Sequence, residues 1–336
     1  MRENGTEGRD WRPTASRAML QLRAELLARA RGFFASRGVL EVDTPIVVNA
    51  PVTDVHIHSA RVLLEAIDGG HEPGEDARQP CFLHTSPEYA MKRLLAAGAG
   101  DIYQICHVVR GLERGRLHNA EFTLIEWYRL GFSLDALMSE VEALVRELLG
   151  PDSASRAGVR VSYREAFLQA LALDPFTVSM RELAEHARRA GFSGEAGDRD
   201  ELLELLMGTV VGPRLGRNGL TFVHGYPASQ AALARLDPRD PRAAQRFELY
   251  CDGIELANGF HELAAADEQR SRFERDIEER RRLGLPAAPL DERLLAALAA
   301  GLPDCCGVAL GFDRTLMLAA GAQSIDAILP FPIERA

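Results

Sequence analysis

The run from Phe247 to Glu262 constrains the chain most. Two apolar-alternating stretches meet at Asp252-Gly253, and Asp-Gly between such stretches is a strong signal for a two-residue hairpin turn. Pairing Cys251 with Ile254 sets Tyr250 opposite Glu255 and Glu248 opposite Ala257, so Glu248, Tyr250 and Glu255 share one side of the sheet and the two carboxylates lie on a diagonal. Carboxylates that close repel unless a cation lies between them, and a Mg²⁺ shared with phosphate oxygens commonly takes one or two of them. Two acids turned to solvent beside arginines would need no such ligand. The hairpin alone leaves both readings open.

A second hairpin is expected from strands at residues 102–110 and 119–130, joined by a loop rich in glycine and arginine. Alternation places Phe122, Glu126 and Tyr128 on one face, with Glu126 embedded among large apolar neighbours. An ionised carboxylate there costs several kcal/mol or shifts its pKa unless a cation is supplied, either a ligand ammonium or a structural arginine. Arg110, Arg116 and His118 gather donors beside this face, suited to charge developing on a transferring phosphorus centre, although ordinary loop arginines would look the same. A third element, residues 307–317, is a strand that enters a helix through Gly311, where glycine permits close backbone approach and Arg314 can reach phosphate oxygens.

Around these lie a helix over residues 16–37 stopped by Gly38, a strand over 39–48 interrupted by Pro45, and an exposed loop over 64–80. A helix begins at Thr85-Ser86-Pro87-Glu88, where a hydroxyl, a first-turn proline and an acid fit a helix start. Helical patterns at 133–149 and 180–206 make a mainly helical insertion around 133–215, strands return at 220–226 and 247–260, and a charged helix covers 267–283. Strands fall in hairpins rather than alternating with helices, so the expected class is α+β with an antiparallel sheet. With 336 residues and 46% hydrophobic content, one catalytic domain over 11–336 with that insertion is expected.

The net charge of -10 argues against a surface built to neutralise phosphate backbones. Lys92 is the only lysine, a pattern read as genome composition rather than function, and the residue itself reads as an exposed helix lysine with a site-adjacent role left open. The five cysteines show no metal or disulfide spacing, so reduced thiols and a cytoplasmic setting are expected. No apolar run approaches the roughly 20 residues that cross a bilayer, and His56, His58 and His71 are assigned no metal role.

Taken together, Gly-Val-Leu-Glu-Val-Asp-Thr-Pro at 38–45 resembles motif 1 of the class II aminoacyl-tRNA synthetases, Arg110 to Glu126 resembles motif 2, and Gly311 to Arg314 resembles motif 3. Thr-Ser-Pro-Glu-Tyr-Ala-Met-Lys-Arg-Leu-Leu at 85–95, His-Asn-Ala-Glu-Phe-Thr-Leu-Ile-Glu-Trp-Tyr at 118–128 and Gly-Ile-Glu-Leu-Ala-Asn-Gly-Phe-His-Glu-Leu at 253–263 are similar to the lysyl branch, and specifically to its truncated paralogues that modify elongation factor P. The resemblance runs from about residue 11 to the end.

It implies ATP and Mg²⁺ as cofactors, with Arg110 on the α-phosphate, His118 and Asn119 near the nucleotide, Phe122 stacked on adenine, Glu248 and Glu255 on the metal, and Arg314 on the γ-phosphate. Gly111, Leu112, Leu256 and Gly311 complete the implied nucleotide site, and Arg110, Glu255 and Arg314 are the implied catalytic residues. For the amino acid it implies Ser86, Pro87, Glu88, Glu126, Tyr128, Asn258 and Glu262. The implied reaction is activation of (R)-β-lysine or lysine as an acyl-adenylate and transfer to a lysine ε-amine of elongation factor P. Motif 1 begins so early that no room is left for an anticodon-reading barrel, so tRNA is not the expected acceptor. The helix from Ser16 and the strand through Pro45 imply a two-fold homodimer. One departure stands out: after the arginine the family usually continues Asn-Glu-Glu, whereas Arg110 is followed by Gly111-Leu112-Glu113. The rival readings are a paralogue that acylates another amine, and a non-catalytic regulatory paralogue that binds an amino acid, for which Leu112 is the support.

Overall fold

Hairpins build the molecule, as a computed structural model that describes residues 11–63, 81–111, 113–150, 158–194 and 197–336. In chain order the helices are α1 (Arg17–Ala35), α2 (Glu88–Ala96), α3 (Leu134–Leu149), α4 (Tyr163–Leu171), α5 (Met180–Arg189), α6 (Arg199–Leu206), α7 (Ala266–Arg282), α8 (Glu292–Gly301) and α9 (Phe312–Ala319). The strands are β1 (Leu40–Glu41), β2 (Val47–Val48), β3 (Arg61–Val62), β4 (Cys81–Leu83), β5 (Ile102–Val109), β6 (Glu121–Leu130), β7 (Val159–Ser162), β8 (Leu220–Pro227), β9 (Leu236–Asp237), β10 (Asp240–Cys251), β11 (Ile254–His261) and β12 (Cys305–Gly311). The main sheet runs β1-β5-β6-β12-β11-β10-β8-β7, with β9 paired to β10. Its centre is antiparallel, and only the edge pairs β1/β5 and β7/β8 are parallel. The α+β class therefore holds, with a mixed rather than purely antiparallel sheet. No helix among the described residues is long and apolar enough to cross a membrane.

Two expected elements divide, each for a local reason. The strand over 39–48 becomes β1 on the main sheet and β2 in a small second sheet ordered β2-β4-β3. Pro45 lies between the two and brings no N–H to either ladder, so the chain changes sheets there. The helix over 180–206 breaks into α5 and α6: Gly191 takes φ 99°, and Asp198 starts the second piece by accepting the Glu201 N–H. The helical region also divides between two cores. Leu137, Val141, Leu144 and Leu148 of α3 pack with Phe33 and Phe34 of α1 and Trp127 of β6, whereas α4, α5 and α6 form a separate core with Val223, Tyr226 and Tyr250.

Three elements of the resembled motifs are tied by one buried acid. Asp313 in α9 accepts from Arg23 of α1 at 2.5 Å and from the Thr123 N–H of β6 at 2.7 Å, while Arg23 also donates to the Thr123 hydroxyl at 2.7 Å. A buried carboxylate is tolerated when its lone pairs are met in this way, and removing it strands both donors. Asp313→Ala is expected to cost on the order of 3 kcal/mol, read as a lower urea midpoint at unchanged m-value; an unmoved midpoint would show that the tie carries no stability.

Candidate active site

A single row of paired residues crosses five strands on one face of the sheet. Gln104 of β5 pairs with Glu126 of β6, Glu126 with Ala309 of β12, Ala309 with Asn258 of β11, and Asn258 with Glu248 of β10. The expected turn forms, with Asp252 and Gly253 at φ 51° and 78°, and Tyr250 pairs with Glu255 as alternation requires. The next pair is displaced: Leu249 meets Ala257, so Glu248 faces Asn258 rather than Ala257. Leu256 is the extra residue of a β-bulge. Both Leu256 and Ala257 join the core, so the alternation changes phase, and Glu255, Asn258 and Glu262 all reach the face that carries Glu126.

At the β6 end the row is acidic. Glu126 is 2% exposed; its two oxygens accept from the hydroxyls of Ser86 at 2.7 Å and Tyr128 at 2.9 Å. No arginine is among these partners. Burial, and after it the charge of Glu88, push its pKa up to about 8 in spite of both hydroxyls. Glu262 is also buried, and desolvation moves it up to about 7 against the pull of Lys92. Lys92 is not the exposed helix lysine expected from sequence: it is 1% exposed, 2.7 Å from Glu88 and 2.6 Å from Glu262. Helical i,i+4 spacing from Glu88 brings it there. Gly307 makes the room, since a Cβ at that position would overlap the Tyr128 ring and the Glu262 carboxylate. Pro87 is the N-cap residue of α2, and Ser86 accepts the Glu88 N–H at 3.0 Å.

The β10 end is a field of arginines around two acids. Glu248 accepts from Arg246 and from the Tyr250 hydroxyl, and Arg246 reaches Asn258 at 3.2 Å. Glu255 stands at the mouth of the cleft, partly exposed, with Arg314 3.5 Å away; enclosure by protein and then the charge of Glu248 raise its pKa, while Arg314, Arg246 and Arg110 oppose the rise. Arg314 also donates to the Glu255 carbonyl at 2.9 Å and contacts His118 Nε2 at 2.6 Å. Burial and the neighbouring Arg314 lower the His118 pKa, which favours the neutral ring as acceptor. The Arg110 guanidinium lies 5.2 Å from the Phe122 ring, and its Nε donates to the Thr85 carbonyl. Among the described residues no three His, Cys, Asp or Glu side chains form a ready metal cage. A Mg²⁺ carried on phosphates needs fewer, and the mutual repulsion of Glu248 and Glu255 fits a cation between them.

Several nominated residues sit apart from the cleft's open side. The Asn119 side chain is engaged internally, donating to the Glu121 carbonyl at 2.7 Å and accepting the Ile333 N–H at 3.1 Å. Leu256 turns its side chain into the core, Arg116 is exposed and bonded to the Gln323 carbonyl, and Gly111 pairs its backbone with His58. Gly311 stands as expected at the junction of β12 and α9. Leu112, His71 and the loop over 64–80 lie outside the described residues. A cavity of about 380 Å³ behind α2, lined by Pro45, Val48, His84 and Arg93, reaches Ser86 and Glu88 but none of the residues at the β10 end. Sequence reading missed Arg246, whose parity on β10 matches Glu248, and Gln104, a buried amide paired with Glu126 in the same row.

An acid whose folded-state pKa lies above its ordinary 4.5 favours the fold below that value, and the advantage is lost as pH rises through about 8. Glu126→Gln removes the buried charge. It is expected to stabilise the protein by roughly 1–3 kcal/mol at pH 8 and by little at pH 4.5, followed by denaturant unfolding at the two pH values. Equal effects at both would place the ionised form of Glu126 in a better-compensated setting than its neighbours provide.

Comparison with known proteins agrees with this geometry. The family described as tRNA synthetases class II (D, K and N) matches residues 7–335. The elongation factor P–(R)-β-lysine ligase of Vibrio cholerae serotype O1 is 49% identical over 330 residues, covering 97% of this chain and 99% of that protein. The ligase of the same name from Salmonella typhi is 47% identical over 334 residues, covering 98% of this chain and all of that protein, and the one from Vibrio atlanticus is 48% identical over 328 residues, covering 97% and 98%. The chain belongs to the class II tRNA synthetase family (D, K and N), among the elongation factor P–(R)-β-lysine ligases, a family of ATP-using ligases.

Proposed function

We propose that this chain activates (R)-β-lysine, or lysine, with ATP and transfers the acyl group to a lysine ε-amine of elongation factor P. The observation that carries the reading is the row itself: buried carboxylates at one end, with Lys92 as the one internal cation among the described residues, and arginines with paired acids at the other. The acidic end suits ammonium groups, with Glu126, Glu88 and Glu262 as acceptors and Ser86, Tyr128 and Asn258 orienting the chain of the amino acid. The other end suits a triphosphate, with Arg110 on the α-phosphate, Arg314 on the γ-phosphate, Phe122 against the adenine and His118 beside it. Asn119, Gly111, Leu256 and Gly311 contribute backbone and shape.

In the first step a substrate carboxylate oxygen bonds to the α-phosphorus and the bond to pyrophosphate breaks, giving the acyl-adenylate. Arg110 and Arg314 offset charge on the reacting phosphorus and the departing pyrophosphate. Mg²⁺, held by Glu248 and Glu255, would screen the phosphate charges. In the second step the neutral ε-amine of the acceptor attacks the acyl carbon, AMP leaves with the bonding pair, and the amide nitrogen gives up a proton. Orientation of amine and adenylate supplies much of the rate. Residues 11–336 form the proposed catalytic unit, and the net charge of -10 favours a protein over tRNA as acceptor. The proposed setting is the cytoplasm, which suits five free cysteines.

With ATP and elongation factor P, mass spectrometry is expected to find one lysyl group added to the acceptor, faster from (R)-β-lysine than from lysine. Arg314→Ala should lower amino-acid-dependent ATP–pyrophosphate exchange by about 10²–10³-fold. Exchange without acceptor modification would point to another amine, and no exchange at all to a non-catalytic role. A homodimer through α1 and β1 is also proposed: β1 is a sheet edge, and Leu20, Leu40 and Ile46 expose apolar surface beside it. Light scattering at micromolar concentration should give twice the chain mass, and a monomer would remove that assembly.

A further inference from the structure

Lys92 is the chain's only lysine against 38 arginines, 39 basic residues less one. Its ammonium is enclosed, 2.7 Å from Glu88 and 2.6 Å from Glu262. The second contact is an ion pair with Glu262 Oε2, itself a buried oxygen. Glu126, with only hydroxyl partners, completes the cluster. We propose that Lys92 sets the charge of the amino-acid pocket: with bound ammonium groups drawing Glu126 and Glu262 into their ionised forms, three carboxylates and one fixed ammonium leave a net of two negative charges, the complement of an amino acid carrying two ammonium groups.

This inference rests on the proposed amino-acid site and deepens it. A compact ammonium fits between two carboxylates where a broad planar guanidinium would push them apart, and that accounts for a lysine here in a chain otherwise furnished with arginine. Burial works against the charge of Lys92, but Glu262 and Glu88 outweigh it and raise its pKa, so the cation is permanent at neutral pH. An amino acid with one ammonium would leave a buried negative charge unmet, and one with three would leave a positive charge unmet. Lys92 is thus a positioning residue. It bridges Glu88 and Glu262 through one ammonium and offsets the repulsion between them.

The test is amino-acid-dependent ATP–pyrophosphate exchange with (R)-β-lysine on the intact protein. Absence of exchange in the unaltered chain overturns the underlying site reading; the inference itself is judged only where exchange is present. Lys92→Met, leaving three negative charges, and Glu262→Gln, leaving one, should each raise the amino-acid KM by roughly tenfold or more, with the KM for ATP unchanged. The double variant Lys92→Met/Glu262→Gln restores two negative charges, and its amino-acid KM should fall below that of either single variant. If Lys92→Met does not fold, the comparison of Glu262→Gln with the double variant still decides. A double variant as impaired as the worse single one, or a rise in the KM for ATP to match, overturns the proposal, because loss of packing would combine in that way.

Discussion

Buried carboxylates are the constraint around which this fold is arranged. Glu126 and Glu262 sit beneath the sheet face with raised pKa values, and a buried acid in that condition weakens the fold at neutral pH. The chain offsets part of the cost with hydroxyls and one ammonium, all delivered by neighbouring elements: Ser86 and Lys92 by the start and first turns of α2, Tyr128 by β6, and space by Gly307 of β12. The remainder is left unmet. Such incomplete compensation is costly in a purely structural core and makes sense where a ligand supplies the missing charge.

The bulge at Leu256 decides whether these acids share a face. In an unbroken strand Glu255 and Asn258 have opposite parity, so a site containing Glu255 would exclude Asn258 and Glu262. One extra residue sends Leu256 and Ala257 into the core together and changes the phase between them. Glu255 can then meet Arg314 at the arginine end while Glu262 meets Lys92 at the acidic end. A single backbone irregularity thus joins the two halves of the cleft, and Asp313 of α9 ties α1 to β6 beside it.

What could be read beforehand follows from period and turn chemistry. Alternation in β6 put Phe122, Glu126 and Tyr128 on one face, and Asp252-Gly253 located the hairpin, because both signals are local. The pairing of Glu248 was one residue off because a bulge leaves no mark in alternation when both residues it sends inward are apolar. Pro45 signalled an interruption but not a change of sheet, which depends on a partner strand 34 residues or more away in β4. Lys92 was misread because helical spacing to Glu88 gives one neighbour, whereas its burial depends on Glu262, which arrives from β11. The internal bonds of Asn119 depend likewise on Ile333 near the end of the chain.

The same lysine bears on the chemistry proposed for the chain. An acyl-adenylate reacts with neutral amines, and a protein that makes one is exposed to it at every accessible lysine. Guanidinium groups stay protonated at neutral pH and do not compete as nucleophiles. Here the basic side chains other than Lys92 are arginines and histidines, and Lys92 is enclosed and held protonated by two carboxylates. Whatever led to the arginine usage, its chemical consequence is that the enzyme offers its own product no free lysine amine. A lysine ε-amine for the second step is then supplied by the acceptor and not by this chain.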